Sequence, residues 1–242
     1  MLSVDSLVKT FGRRTAVDKV SFKVSTGEVL GFLGPNGAGK STVMRMIAGR
    51  LEPDSGRVKV GGHDMLDKRR AGQGLLGYLP EGAPAYRTMT PREFVAFCLA
   101  ARGFGGVNKI KAVNLALDRA RLGDAADQQI GTLSKGFKRR AALAASIAHD
   151  PPLLVLDEPT DGLDPNQKHD VRALIRDMAA DKAIIVSTHI LEEVPAVCSR
   201  VIVIHEGQLR ADESPDEFAA RARSGRLDDA FRSLTRDEEP AT

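Results

Sequence analysis

VLGFLGPNGAGKST, residues 29–42, reads as a short apolar strand that runs into a glycine-rich loop and then a helix. Residues 34–42 match the pattern G-x-x-x-x-G-K-[ST], and the strand before and helix after supply the context in which that pattern means phosphate binding. Gly34, Gly37 and Gly39 let the backbone turn so that N–H groups converge on an anion, and the helix beginning near Lys40 adds its positive end. A glycine turn that merely joins strand to helix would leave the full match unexplained. The candidate nucleotide site is therefore Gly34, Pro35, Asn36, Gly37, Ala38, Gly39, Lys40, Ser41 and Thr42. Within it Lys40 is placed to reach the β- and γ-phosphates, and the Ser41 hydroxyl to ligate Mg²⁺.

A second stretch, LLVLDEPTDGLDP at 153–165, begins as a run suited to a protein interior and then sets Asp157 and Glu158 side by side. Successive strand residues point to opposite sides, so the two carboxylates need not share a task. A buried unpaired carboxylate costs roughly several kcal/mol, so a pair at a strand end calls for a cation or a reacting water nearby. The Mg²⁺ of the phosphate site meets that requirement. Asp157 would then bind the metal shell, and Glu158 would orient and deprotonate an attacking water, a role worth about 10²- to 10⁴-fold in rate.

Around these two stretches, strand-like segments recur at Leu2–Val8, Val20–Val24, Val58–Val60, Leu75–Leu79, Ala183–Ser187 and Val201–His205. Helices alternate with several of them, which predicts an α/β core with a partly parallel sheet. Between Leu79 and Leu153 three helical segments follow one another with no convincing strand, so a helical subdomain over about 82–150 is expected. Its first helix opens on the capping box Thr90-Pro91-Arg92-Glu93, its second runs from about Asn108 to Leu122, and Ser134 is placed to cap the third. Ser214-Pro215-Asp216-Glu217 repeats the capping logic, and RDEEPAT at the C-terminus reads as a loose tail.

Composition narrows the class. With 42% hydrophobic residues in 242 the chain is a folded globule, and its apolar runs fall far short of the roughly 20 residues that span a bilayer. No secretory leader is readable in MLSVDSLVKTFGRR, which leads to an expectation of a cytoplasmic protein. The formal charge of +3 does not demand a nucleic-acid partner, and the basic runs Lys68-Arg69-Arg70 and Lys138-Arg139-Arg140 read as solvated helix faces. Cys98 and Cys198 lack metal or redox spacing and read as buried free thiols.

The ordered set of motifs resembles the nucleotide-binding subunit of ATP-binding cassette (ABC) transporters over nearly the whole chain. After GPNGAGKST comes LSKGF at 133–137, similar to the family signature LSGGQ, then LLVLDEP, the loop Gly162-Leu163-Asp164-Pro165, and His189 in VSTHILEE. The resemblance implies a P-loop NTPase core with an antiparallel β subdomain and the inserted α-helical subdomain, a cassette over 1–226 and a short C-terminal tail over 227–242. It implies ATP and Mg²⁺ as cofactors and a head-to-tail dimer, homodimeric in the simplest case, in which each ATP lies between the phosphate loop of one subunit and the signature of the other. Ser134 and Gly136 would then face the γ-phosphate across the interface, although Ser134 serves equally as a plain N-cap. His189 would contact the γ-phosphate and help position the water, and Asp164 would organise the interface. Phe11 occupies the place where the family stacks an aromatic ring on adenine; ordinary core packing is the alternative.

Two departures stand out. Glu81 replaces the family glutamine that follows this strand; it can still serve Mg²⁺ or a water but adds negative charge beside the phosphates. Lys135 and Phe137 replace a glycine and the glutamine of the signature. These variants, with the tail from Leu227 to Thr235, resemble type-2 ABC exporters of the gliding-motility-like branch. The expected activity is Mg²⁺-dependent ATP hydrolysis that drives a separate integral-membrane permease, placing the chain on the inner face of the membrane, with Gly82–Thr90 as the docking segment. An importer ATPase shares this chemistry. A soluble ABC ATPase acting on ribosomes or nucleic acid is the rival class, against which stand the single cassette and the lack of a charged linker or long coiled-coil insertion.

Overall fold

A computed structural model describes residues 1–188 and 190–235. In chain order it runs β1 (Leu2–Phe11), β2 (Arg14–Val24), β3 (Val29–Leu33), α1 (Lys40–Ile47), β4 (Ser55–Val60), β5 (His63–Asp64), α2 (Arg69–Gly74) and β6 (Leu76–Leu79). Then follow α3 (Pro91–Ala101), α4 (Gly106–Arg119), α5 (Lys135–Ile147), β7 (Leu153–Asp157), α6 (Pro165–Ala179), β8 (Ala183–Thr188), α7 (Val194–Val197), β9 (Arg200–His205), β10 (Gln208–Glu213), α8 (Pro215–Ala220) and α9 (Leu227–Thr235). The strands form two sheets, an antiparallel one ordered β2-β1-β4-β5 and a larger one ordered β10-β9-β3-β8-β7-β6.

The larger sheet is parallel except at its β10 edge. Its central strands are apolar on both sides because both faces are covered. Alternation along each strand divides the core in two: Leu30, Phe32, Leu153, Val155 and Ile185 pack with α1 and the antiparallel sheet. Val29, Leu33, Leu154, Leu156, Ile184 and Val186 pack on the opposite face, with residues of α3, α4, α5 and α6. Between β6 and β7 the described elements are helical, α3 opening on the Thr90–Glu93 capping box in full. The second helix is Gly106–Arg119, starting and ending earlier than its apolar pattern predicted, because the chain turns at Arg121 with φ +50° before Leu122 is buried.

Residues 227–235 of the expected tail form α9, which seats Ala230, 0% exposed, and the flanking Leu227, Phe231 and Leu234 on the core; RDEEPAT lies outside the described residues. Cys198 is buried, but Cys98 only partly, since it lies on α3 among the smaller cluster of Phe94, Ile130 and Leu133. Among the described residues no helix is long and apolar enough to cross a membrane.

His149, between α5 and β7, ties the helical region to the sheet edge: its Nε2 lies 3.1 Å from the Leu76 carbonyl, while Nδ1 is buried without a hydrogen-bond partner. Burial, helped by the nearby Arg102 charge, pushes its pKa from 6.5 down to about 4. The unfolded chain therefore takes up this proton at higher pH than the folded one. The stability held by neutral His149 is complete above pH 6.5 and is lost as pH falls toward 4, about 3 kcal/mol in all. Denaturant titrations between about pH 7 and 4.5 are expected to show a steeper fall for the parent than for His149→Gln; parallel curves would refute this.

Candidate functional site

Strand register gathers the predicted residues at one end of the parallel sheet. Leu33 pairs with Thr188 and Asp157 with Ser187, so β3, β8 and β7 finish together; Leu79 pairs with Leu156, which brings Glu81, two residues past β6, to the same rim. This is the carboxyl edge, where open α/β sheets bind ligands.

The loop from Gly34 to Gly39 fills the gap between β3 and α1 and is cramped from behind. A Cβ on Gly34 would collide with the Ile204 carbonyl, and one on Gly39, which sits at φ +111°, with the Ala16 carbonyl. Both positions therefore require glycine. Pro35, Asn36 and Gly37 form the outer turn and Ala38 is buried beneath it, its carbonyl accepting from the Gly207 amide at 3.0 Å. Helix α1 begins with Lys40, Ser41 and Thr42, with no side-chain cap and no acidic residue in its first turn. Its amino end thus keeps its positive character for an anion.

Lys40 is only 7% exposed, and its Nζ donates to the Gly34 carbonyl at 2.6 Å and the Pro35 carbonyl at 3.1 Å. Burial lowers its pKa, while Glu158, Asp157 and Glu81 act in the opposite direction and favour the ammonium. The buried Lys40 cation and three carboxylates therefore share this rim. Asp157, 1% exposed, accepts from the Ser187 hydroxyl at its Oδ1. Glu158 follows in the left-handed region at φ +54°, its amide donating to the Ser187 carbonyl at 3.2 Å and hydroxyl at 3.1 Å. That conformation costs a non-glycine residue about 1–2 kcal/mol and turns Glu158 out of the strand, away from the alternation that holds Asp157.

The oxygen donors of Ser41, Asp157 and Glu81 suit a hard divalent cation whose remaining ligands are phosphate and water. Among the described residues no group of three or more His, Cys, Asp or Glu is placed to hold a metal ion.

The other predicted residues divide. Phe11 is 51% exposed, so core packing is not its role; it ends β1, with Lys9 Nζ 5.7 Å from its ring centroid. Arg14, across the hairpin, donates from Nη2 to the Gly37 carbonyl at 2.7 Å and so ties the Phe11 turn to the phosphate loop. Ser134 caps α5, accepting from the Phe137 amide at 3.3 Å, and Asp164 caps α6, accepting from the Gln167 amide at 2.9 Å. The buried Gly136 packs so closely on Leu163 and Gln167 that a Cβ there would strike the Gln167 side chain. Lys135 Nζ pairs with Asp161 Oδ2 at 2.8 Å. The signature thus packs, within one chain, on the segment after Glu158. His189 lies outside the described residues.

Sequence reasoning missed Arg14 and Ser187. It misread Arg139 and Arg140, which are 4% and 6% exposed where a solvated face was expected. The reason is that α5 packs on β6 and α4 with these side chains turned inward: Arg139 Nη2 donates to the Asp157 and Glu158 carbonyls at the end of β7, and Arg140 Nη1 to the Arg121 carbonyl at 2.8 Å.

Comparison with known proteins gives the same direction. Residues 17–161 match the family model described as ABC transporter. The Nod factor export ATP-binding protein I of Rhizobium sp. (strain N33) is 41% identical over 210 residues, 86% of this chain and 68% of that protein. The ABC transporter ATP-binding protein YxlF of Bacillus subtilis (strain 168) is 38% identical over 209 residues, 86% of this chain and 69% of its own length. A solved structure of an ATP binding subunit of an ABC transporter superposes with a TM-score of 0.89 at 28% identity, over 98% of this chain and 100% of that one. A phosphate loop, an acidic strand end and a matching fold thus meet in one chain, which belongs to the ABC transporter family as an ATP-binding subunit.

Proposed function

We propose that this subunit binds Mg²⁺-ATP on the Gly34–Thr42 loop and hydrolyses it with Glu158 as general base, as part of an exporter whose membrane-spanning permease is a separate chain. The observation that carries this reading is the Lys40 ammonium, buried between two phosphate-loop carbonyls and flanked by Glu158, Asp157 and Glu81. Ser41 and Asp157 would hold Mg²⁺, with Glu81 as a further oxygen donor, and the ion would neutralise charge on the transferring phosphate. Lys40 binds phosphate oxygens, Glu158 takes a proton from the attacking water, and Phe11 offers its exposed face to the adenine. His189 is assigned the γ-phosphate contact by resemblance alone.

Ser134, Gly136 and Asp164 are assigned to a second copy's nucleotide in a head-to-tail homodimer; Ser134 is exposed and opens a helix, which supports its use as a phosphate contact. The cassette is read as 1–226 with 82–150 as its helical subdomain. The export direction is supported by the Nod factor export relative. With ATP as its ligand and a permease as its anchor, the subunit would work at the inner face of the membrane.

For permease docking the structure offers Tyr86, 55% exposed within Gly82–Thr90 and packed edge-on against Phe97, 45% exposed, with ring centroids 5.5 Å apart. An exposed aromatic pair of this kind commonly dominates binding, at about 2 kcal/mol for one anchor. ATP hydrolysis by the purified chain, with and without its permease in lipid, tests the whole reading. Stimulation by the permease is expected, and Tyr86→Ala should lower apparent permease affinity about 30-fold at unchanged basal turnover. Activity indifferent to any permease would overturn the transporter reading, and unaltered coupling in Tyr86→Ala the docking site.

A further inference from the structure

Arg139 is a buried guanidinium within the signature helix α5, and burying such a cation is unfavourable unless its hydrogen bonds are specific. Its Nη2 donates to two consecutive main-chain carbonyls, those of Asp157 and Glu158, and its Nε is buried without a hydrogen-bond partner. The carboxylates of Asp161, Asp157, Glu158 and Glu81 all favour the charged form that burial disfavours. Strand β7 ends at Asp157, and the peptide that follows bonds to the β8 main chain through the Glu158 amide, which donates to the Ser187 carbonyl at 3.2 Å. The Ser187 hydroxyl holds the same amide at 3.1 Å, Arg139 holds the Asp157 and Glu158 carbonyls from α5, and the Asp161 amide also donates to the Glu158 carbonyl at 3.1 Å. Between these anchors lies a glutamate at φ +54°, a conformation that persists only where its surroundings impose it.

We propose that Arg139 is a positioning residue for hydrolysis: its grip on the Asp157 and Glu158 carbonyls fixes the left-handed peptide that aims the Glu158 carboxylate, and couples that aim to the helix headed by Ser134. The proposal rests on Glu158 being the base. Arginine suits this role because the two N–H groups of Nη2 are fixed in the guanidinium plane and can be aimed at both carbonyls together, whereas a lysine ammonium at this position, though it carries three donors, is not held in one orientation. A role in aim rather than in binding separates turnover from affinity, since Arg139 contacts main-chain carbonyls, whereas Lys40 and the loop amides are the groups assigned to phosphate.

Arg139→Gln, Arg139→Lys and Glu158→Gln should be compared in the full chain. In Arg139→Gln, kcat is expected to fall about 10-fold or more, with KM and equilibrium affinity for ATP within about threefold of the parent; Arg139→Lys should fall between. Without nucleotide, hydrogen exchange at the Glu158 amide should quicken about 10-fold in Arg139→Gln while amides in β8 keep parent rates. Parent kcat or parent exchange at Glu158 overturns the proposal, as does a uniform loss in which KM, melting temperature and β8 exchange change together. If Arg139→Gln does not fold, Arg139→Lys decides on the same readouts, with parent values in both again overturning it. Near-parent turnover in Glu158→Gln would instead remove the base assignment, whereas inactive Glu158→Gln beside a normal Arg139→Gln removes Arg139 alone.

Discussion

Glu158→Gln is expected to lower ATP turnover by about 10²-fold or more while leaving ATP binding intact. The substitution keeps the shape of the side chain and replaces a carboxylate that can take a proton with an amide that cannot. Main-chain contacts that the substitution leaves in place hold the residue's turn: the amide to Ser187, and the carbonyl to Arg139 and to the Asp161 amide. The left-handed turn at φ +54° therefore survives, and Asp157 keeps its bond from the Ser187 hydroxyl. ATP then binds without being consumed, so an ATP-bound dimer should accumulate and elute early in gel filtration with Mg²⁺-ATP. Single-turnover kinetics separates the loss of chemistry from a loss of affinity, and near-parent hydrolysis would rule Glu158 out as the base.

The parts of the fold most legible in sequence are those buried on both sides. β3 and β7 have the bounds that their apolar runs predict, because a fully covered strand cannot tolerate a polar residue before its end. Edge elements are less legible. β10 reads QLRADE, with one buried position, and owes its existence to pairing with β9. The hairpin of β1 and β2 extends to the Phe11–Arg14 pair, well past the apolar cores of its strands, because backbone pairing does not need apolar side chains.

The candidate site divides on the same principle. Its loop is contiguous in sequence, so spacing alone assembles Gly34 through Thr42. Arg14, Ser187 and Arg139 act on main-chain or side-chain atoms 18 to 30 positions away, at Gly37, Asp157 and Glu158, and local pattern carries no trace of such partners. The basic run around Arg139 was misread for this reason. A helix flanked by strands on one side and another helix on the other can bury two guanidinium groups in its second turn, provided that carbonyls meet them. Here the end of β7 and the turn after α4 supply those carbonyls.

Lys40→Ala carries the second large effect, a loss of about 10²-fold or more in ATP affinity. Without nucleotide the Lys40 amine satisfies itself on the Gly34 and Pro35 carbonyls at 2.6 and 3.1 Å, acceptors that belong to the same loop that would cradle phosphate. A phosphate oxygen can take over such bonds at little reorganisation, and each charge-assisted bond contributes about 1.5–3 kcal/mol. Removing the amine has a second consequence. Glu158, Asp157 and Glu81 favour the Lys40 cation now, and without it their charge would face an incoming polyanion from the same rim. The extra carboxylate at position 81, where the family resemblance implies glutamine, makes this chain more dependent on Lys40. Two bonds at the lower figure already amount to about 3 kcal/mol, or roughly two orders of magnitude in Kd. Calorimetric titration with Mg²⁺-ATP reads the loss directly, and a melting curve without nucleotide shows whether the variant is folded. Folded Lys40→Ala with parent affinity would mean that the helix end and loop amides bind phosphate unaided, and that the buried lysine serves only to balance the carboxylates beside it.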